Sequence, residues 1–203
     1  MAVPLTSEVW TAAFMLEQSP LRHWIEQAKA GDASAFERIM VLHERMVLRT
    51  AQRLLMNAED AKDAAQEVFL KLHKKLGRFR EDKDLAPWLY RMTVNVCLDS
   101  KRRVRTGVPR EQALEPRDGA RGPEEAFRAA QERDLLQAAL RQLSERERAA
   151  IVLRDLEGCS TAQAAAILGS SEGTVRSQIS SARVKIRKFI AERLRRRGGG
   201  SDD

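Results

Sequence analysis

Cysteine, histidine, aromatic residues and strand-like alternation are all scarce in this sequence of 203 residues. Its two cysteines, Cys97 and Cys159, stand far apart with no second ligand residue beside either. That excludes a disulfide framework or a zinc knuckle and fits reduced thiols of a cytoplasmic protein. Its three histidines, His23, His43 and His73, form no nucleophile, metal or acid–base constellation. The expectation is therefore no enzyme, no cofactor and no metal. No apolar run approaches the roughly 18 residues of a membrane span. The opening MAVPLTSEVW lacks the basic-then-apolar layout of a signal peptide. A cytoplasmic chain with no membrane contact of its own is expected.

What the sequence does have is helical periodicity in two blocks. Apolar residues recur at helical spacing through the first, predicting helices over 21–29, 33–55, 58–76 and 86–103. Start signals agree: Asp32 after Gly31, Asn57 at a turn, and Asp84 with Pro87 three residues on. Gly77 fits a helix stop. Residues 107–123 hold three glycines and three prolines, a composition that cannot build a core. The second block carries two capping boxes, Ser144–Glu147 and Ser160–Gln163, with the first opening a helix through Leu153.

Charge is unevenly distributed. The chain carries net +7, and nine of the 14 basic residues in 131–203 lie at or after Arg176. A basic last helix points toward a polyanion more strongly than the total does. Just before it, TAQAAAILGSSEGTVRSQISSAR sets Ala165, Gly169 and Val175 at separations of four and six residues. A helix-turn-helix needs that order: a small residue at the helix crossing, a turn residue tolerant of positive φ, and an apolar anchor on the second helix. Ser171 is the expected cap of that second helix. Thr174, Arg176, Ser177, Ser180 and Ser181 are then exposed, suited to a major groove where arginine pairs with guanine and hydroxyls reach bases or phosphates. The plainer alternative is an ordinary helical hairpin. Arg183, Lys185, Arg187 and Lys188 fit either phosphate contact or simple solvation.

In the first block, Ala61, Ala65, Val68 and Leu72 form a core stripe. Asp63, Gln66, Glu67 and Phe69 are left toward the other side, a pattern that by itself fits a solvated face. Downstream, a charged loop precedes Trp88 and Tyr90, then Asn95, Asp99 and a basic cluster, Lys101, Arg102 and Arg103. Basic and aromatic residues so interleaved suit unpaired bases, although Trp88 also reads as partly core.

Taken in order, GDASAFERIM, NAEDAKDAAQEVFLKLHKKLGRFR, PWLYRMTVNVCLDSKRR and LSERERAAIVLRDLEGCSTAQAAAILGSSEGTVRSQISSARVKIRKFI resemble the blocks of a bacterial extracytoplasmic-function (ECF, group IV) sigma factor of the sigma-70 family. The likeness spans about residues 21–190. It implies an all-α fold of two small helical domains, the sigma region 2 bundle and the region 4 helix-turn-helix, joined by a flexible linker. The divisions expected are a 1–20 extension, region 2 over 21–103, a 104–130 linker, region 4 over 131–193 and a disordered 194–203 tail. The resemblance implies that Asp63, Gln66, Glu67 and Phe69 dock on the clamp helices of core RNA polymerase, with the flap as a further contact. It implies that Arg80, Glu81, Asp82, Lys83, Asp84, Trp88, Asn95, Asp99, Lys101, Arg102 and Arg103 handle the melted minus-ten promoter strand. Thr174, Arg176, Ser177, Ser180, Ser181 and Arg183 fall where the family reads the minus-thirty-five element of promoter DNA. An anti-sigma factor that occludes the polymerase-binding faces is implied as well.

Three positions depart from the family pattern. Ser170 stands where an aliphatic residue is usual, which is expected to loosen the turn; Gln178 replaces a basic residue; Ser180 and Ser181 are small. Residues 1–20, with Trp10, Phe14 and Leu16, lie outside the likeness and read either as an amphipathic helix that meets a regulator or as disordered chain. A 104–130 linker reaches about 90 Å when extended, more than two turns of duplex. The rival readings are a stand-alone helix-turn-helix regulator, which predicts tight DNA binding by a free dimer, and a protein-binding adaptor indifferent to salt.

Overall fold

Helix starts in the first half are fixed by short polar side chains that satisfy otherwise unpaired backbone donors. The computed structural model describes residues 20–80, 84–105 and 123–198. Helix α1 covers 20–29. Asp32 then caps α2 (Ala33–Leu55), its Oδ1 accepting from the Ser34 and Ala35 N–H groups at 2.8 and 3.2 Å. Asn57 caps α3 (Ala58–Lys75) likewise, accepting from Glu59 and Asp60 at 2.9 and 3.2 Å. Between them the chain reverses at Met56, which takes a left-handed backbone with φ of 62°, an uncommon conformation for a residue with a Cβ.

Gly77 is not a left-handed stop: it sits inside a 3-10 turn, Leu76–Arg78. Phe79 follows and stacks on Trp88 at 5.1 Å, and its carbonyl accepts from Lys29 Nζ at 2.8 Å. Helix α4 (Leu85–Arg105) has Pro87 in its first turn, where a missing N–H has no intrahelical partner to lose. Helices α2, α3 and α4 pack pairwise around Ile39, Val47, Val68, Leu72, Leu89 and Val94, all fully buried.

In the second half, α5 runs Pro123–Arg141, so residues 123–130 are helical and not tether. The connection between helices shrinks to 106–122, spanning about 60 Å when extended; it lies outside the described residues. Both capping boxes form, Ser144 with Glu147 opening α6 (Glu145–Ile151) and Ser160 with Gln163 opening α7 (Thr161–Leu168). Helix α6 ends earlier than the periodicity predicts, passing into a π turn, Val152–Leu156. Helix α8 (Glu172–Gly198) continues through the basic run beyond residue 193. The second core combines small groups, Ala164, Ala165, Val175 and Ala182, with Leu140, Leu143, Ile151, Leu153, Ile167 and Ile179. The halves touch: α4 packs on α7, and α2 on α6 and the π turn.

Candidate nucleic-acid interface

The helix-turn-helix framework is present in atomic detail. Gly169 ends α7 with φ of 60°, its N–H bonding the Ala165 carbonyl. The Ser170 N–H reaches the same carbonyl at 3.0 Å. The expected loosening at Ser170 is therefore corrected: the turn is closed by backbone bonds that ignore the side chain. Ser171 caps α8, its Oγ accepting from the Thr174 N–H at 3.1 Å. Val175 is wholly buried, in the same core cluster as Ala164 and Ala165.

Along α8 the expected readers divide into two groups. Thr174, Arg176, Ser177 and Ser180 are exposed, and Ser177, Ser180 and Val184 fall at i, i+3 and i+7 on one outward line. Val184, 55 % exposed, was not anticipated; its spacing from Ser177 was the available signal. Arg176 is held by Glu172 one turn back at 2.6 Å, an exposed pair that water can replace. Ser181 and Arg183 turn toward their own domain instead. Ser181 donates to Glu147 Oε1 at 2.6 Å, and Arg183 grips Asp155 with two bonds of 3.0 and 2.8 Å. Lys185 joins Ser181 on Glu147 at 2.7 Å.

The first half presents α3. Asp63 and Gln66 are exposed and Glu67 is half-buried, paired with Lys71 at 2.7 Å. Phe69 is corrected: it is 6 % exposed and belongs to the core, because it lies one turn beyond buried Ala65. The large apolar group exposed on this helix is Leu70, at 63 %. Arg80 and Asp84 are exposed at the ends of their loop, and Asn95 is exposed on α4. Trp88, Asp99 and Lys101 are half-buried. Glu81, Asp82 and Lys83 lie outside the described residues, as do the side chains of Arg102 and Arg103 and the 1–19 segment.

Comparison with known proteins decides what this pair of domains is. Residues 39–106 match the family model of sigma-70 region 2, and residues 133–186 that of sigma-70 region 4. The ECF RNA polymerase sigma factor SigM of Mycobacterium tuberculosis is 36% identical over 163 residues, covering 79% of this chain and 80% of its own length. The RNA polymerase sigma-H factor of Pseudomonas aeruginosa is 32% identical over 191 residues, 89% of this chain and 99% of that one. The chain belongs to the ECF sigma factors of the sigma-70 family. The fold is also that of the sigma factor RpoE of Bartonella quintana, solved with the anti-sigma factor NepR: the TM-score is 0.62 at 24% identity, over 77% of this chain and 96% of that one.

As a sigma factor the chain binds core RNA polymerase and promoter DNA and directs transcription initiation; it is not an enzyme. No described helix is long and apolar enough to cross a membrane. Where the sigma factor's two halves meet, Glu157 accepts from Arg53 at 2.6 Å, Arg49 at 2.8 Å and Tyr90 at 3.1 Å. Arg148 crosses in the other direction, donating to the Leu54 carbonyl at 3.1 Å. Its remaining nitrogens hold the Leu140 and Leu143 carbonyls at 2.9 and 3.1 Å. Leu54 is in the last turn of α2, so Arg148 satisfies a carbonyl the helix leaves open. Both cysteines are buried; burial pushes the Cys97 thiol up to about 12 and raises Cys159 also. Thiols so held are poor nucleophiles.

Proposed function

We propose that this sigma factor engages its promoter at two separate places and docks on polymerase through a third. The exposed line of α8, Thr174, Arg176, Ser177 and Ser180, reads the minus-thirty-five element as duplex. The loop from Arg80 to Asp84, with Trp88, Asn95, Asp99 and the basic end of α4, receives the melted minus-ten strand. The α3 face of Asp63, Gln66 and Glu67, with Leu70 as its apolar contact, docks on the polymerase clamp helices. The observation that carries this reading is α8: a closed helix-turn-helix presents one arginine and three hydroxyls outward, the groups that pair with base edges and phosphates. An anti-sigma factor, the class of partner in the RpoE complex, covers the α3 face until release, and the site of action is the cytoplasm. A stand-alone regulator is not favoured, since both sigma regions are matched in one chain.

The test is run-off transcription with purified core polymerase over genomic fragments. Arg176→Ala lowers output from the cognate promoter roughly tenfold or more, the loss of one base contact, with core binding intact. Reversing charge at Asp63 and Glu67 abolishes capture of core polymerase in a pull-down. Normal output from the first variant and full capture by the second would return both faces to simple solvation.

A further inference from the structure

Among the described residues, helix α8 keeps one large apolar side chain in the open, Val184, 55% exposed. Branching at Cβ freezes its χ1 and makes valine a poorer helix former than alanine. Burial offsets that cost at Val175, which is out of solvent, but not at Val184. A single exposed valine would need no explanation. Val184, however, lies seven residues after Ser177 and four after Ser180, so it continues the outward line those two hydroxyls begin.

That line fits the floor of a major groove. Seven residues of α-helix advance about 10 Å, so Ser177 and Val184 both fall within a groove about 12 Å wide. The homeodomain, another reader built on a helix-turn-helix, meets base edges with residues at i, i+3, i+4 and i+7 of its recognition helix. On α8 the i, i+3 and i+7 residues are exposed, while the i+4 residue, Ser181, is turned onto Glu147 at 2.6 Å. The two cations that flank Val184 in sequence are drawn aside. Arg183 holds Asp155 at 3.0 and 2.8 Å, and Lys185 holds Glu147 at 2.7 Å. Serine side chains are short, so they let α8 come close enough for the valine methyls to touch base edges. Thymine is the base that presents a methyl group there. Apolar contact between the two releases water from both. Against the polar edge of another base, Val184 displaces water from a hydrogen-bonding group and offers nothing in return.

We propose that Val184 is a specificity residue of the upstream element, its methyl groups contacting the 5-methyl group of a thymine. This rests on α8 reading duplex DNA and adds the base at one further position. The test uses holoenzyme made from the full chain and core polymerase. It selects among promoter fragments with a randomised upstream element, and the DNA of heparin-resistant complexes is sequenced. Wild type is expected to enrich thymine at one position; Val184→Ser loses that preference and keeps the others. Replacing that thymine by deoxyuridine removes only the methyl group. At limiting holoenzyme it is expected to lower wild-type complex formation about fourfold, the worth of one buried methyl group, and to leave Val184→Ser unchanged. Val184→Ala melts at or slightly above the wild-type temperature, since alanine is the better helix former, yet loses the same discrimination; a merely structural role would not divide the two readouts. Indifference of wild type to deoxyuridine at every thymine of the element overturns the inference. Arg176→Ala separates it from the reading beneath it. A relaxed Arg176→Ala profile beside an unchanged Val184→Ser profile removes Val184 alone, whereas unchanged profiles in both remove α8 as the reader and Val184 with it.

Discussion

The two halves of this sigma factor hold their functional helices by different means. In the first, α3 and α4 are fixed by a broad apolar core, with Leu72, Leu89 and Val94 entirely out of solvent. In the second, the core mixes Ala164, Ala165 and Ala182 with Leu140, Ile151 and Leu153, and α8 is additionally fastened by Glu147 and Asp155. Large apolar burial is non-directional and strong; a few charge-assisted bonds are weaker but aim a helix. The contrast suits the work proposed for each. A docking and melting platform needs rigidity, while a reader of base edges needs one orientation and one face kept clear.

The comparison can be broken most forcefully in the first core. Leu72→Ala removes a fully buried side chain from the three-helix packing, and a loss of about 2–5 kcal/mol is expected from such truncation. Urea denaturation followed by circular dichroism measures it. A cost below about 1 kcal/mol would mean that the first half does not depend on close packing.

Acid titration probes the second half. Burial by itself would raise the Glu147 carboxyl, but hydrogen bonds from Lys185, Ser181 and the Ser144 cap prevail and hold it at about 2, against an ordinary 4.5. The folded value lies below the unfolded one, so the stabilisation is complete above about pH 4.5 and fades as pH falls toward 2. Over that window wild type is expected to lose about 1.5–3 kcal/mol through this group. Glu147→Gln should already lack most of it at pH 7 and show a flatter acid limb in urea melts taken at successive pH values. A variant with the wild-type acid limb would show that Glu147 does not fasten α8.

Most of the helical spans and the Ala165–Gly169–Val175 framework were legible because their signals are local: periodicity, caps and one turn glycine at fixed spacing from its neighbours. Phe69 was misassigned although its spacing from Ala61 and Ala65 carried the answer, since an aromatic at the edge of a stripe fits either side. The long-range charge pairs were not legible. Glu147 meets Ser181 and Lys185 across 34 and 38 positions, and Glu157 meets Arg53 and Arg49 across 104 and 108. No periodic pattern couples charges at such distances; only the packed arrangement of helices brings them together. The π turn that precedes Glu157 likewise has no sequence signature beyond the capping box before it.

The smallest effect sharpens the comparison most finely, because it separates a fastener from a reader. Arg183 was expected among the DNA contacts, yet it is bound bidentately by Asp155 of the π turn. Arg183 is 55% exposed in this pair, so water and salt leave it little worth. Arg183→Ala is therefore expected to shift thermal or urea stability only slightly. Its informative readout is the salt dependence of promoter-duplex binding by the full chain. Each phosphate contact contributes about 0.9 to the slope of log affinity against log salt. A fastener leaves that slope unchanged, whereas a residue that abandons Asp155 for phosphate flattens it by about one unit when removed. An unchanged slope is expected for Arg183→Ala, with Arg176→Ala weakening recognition of the cognate sequence in the same titration.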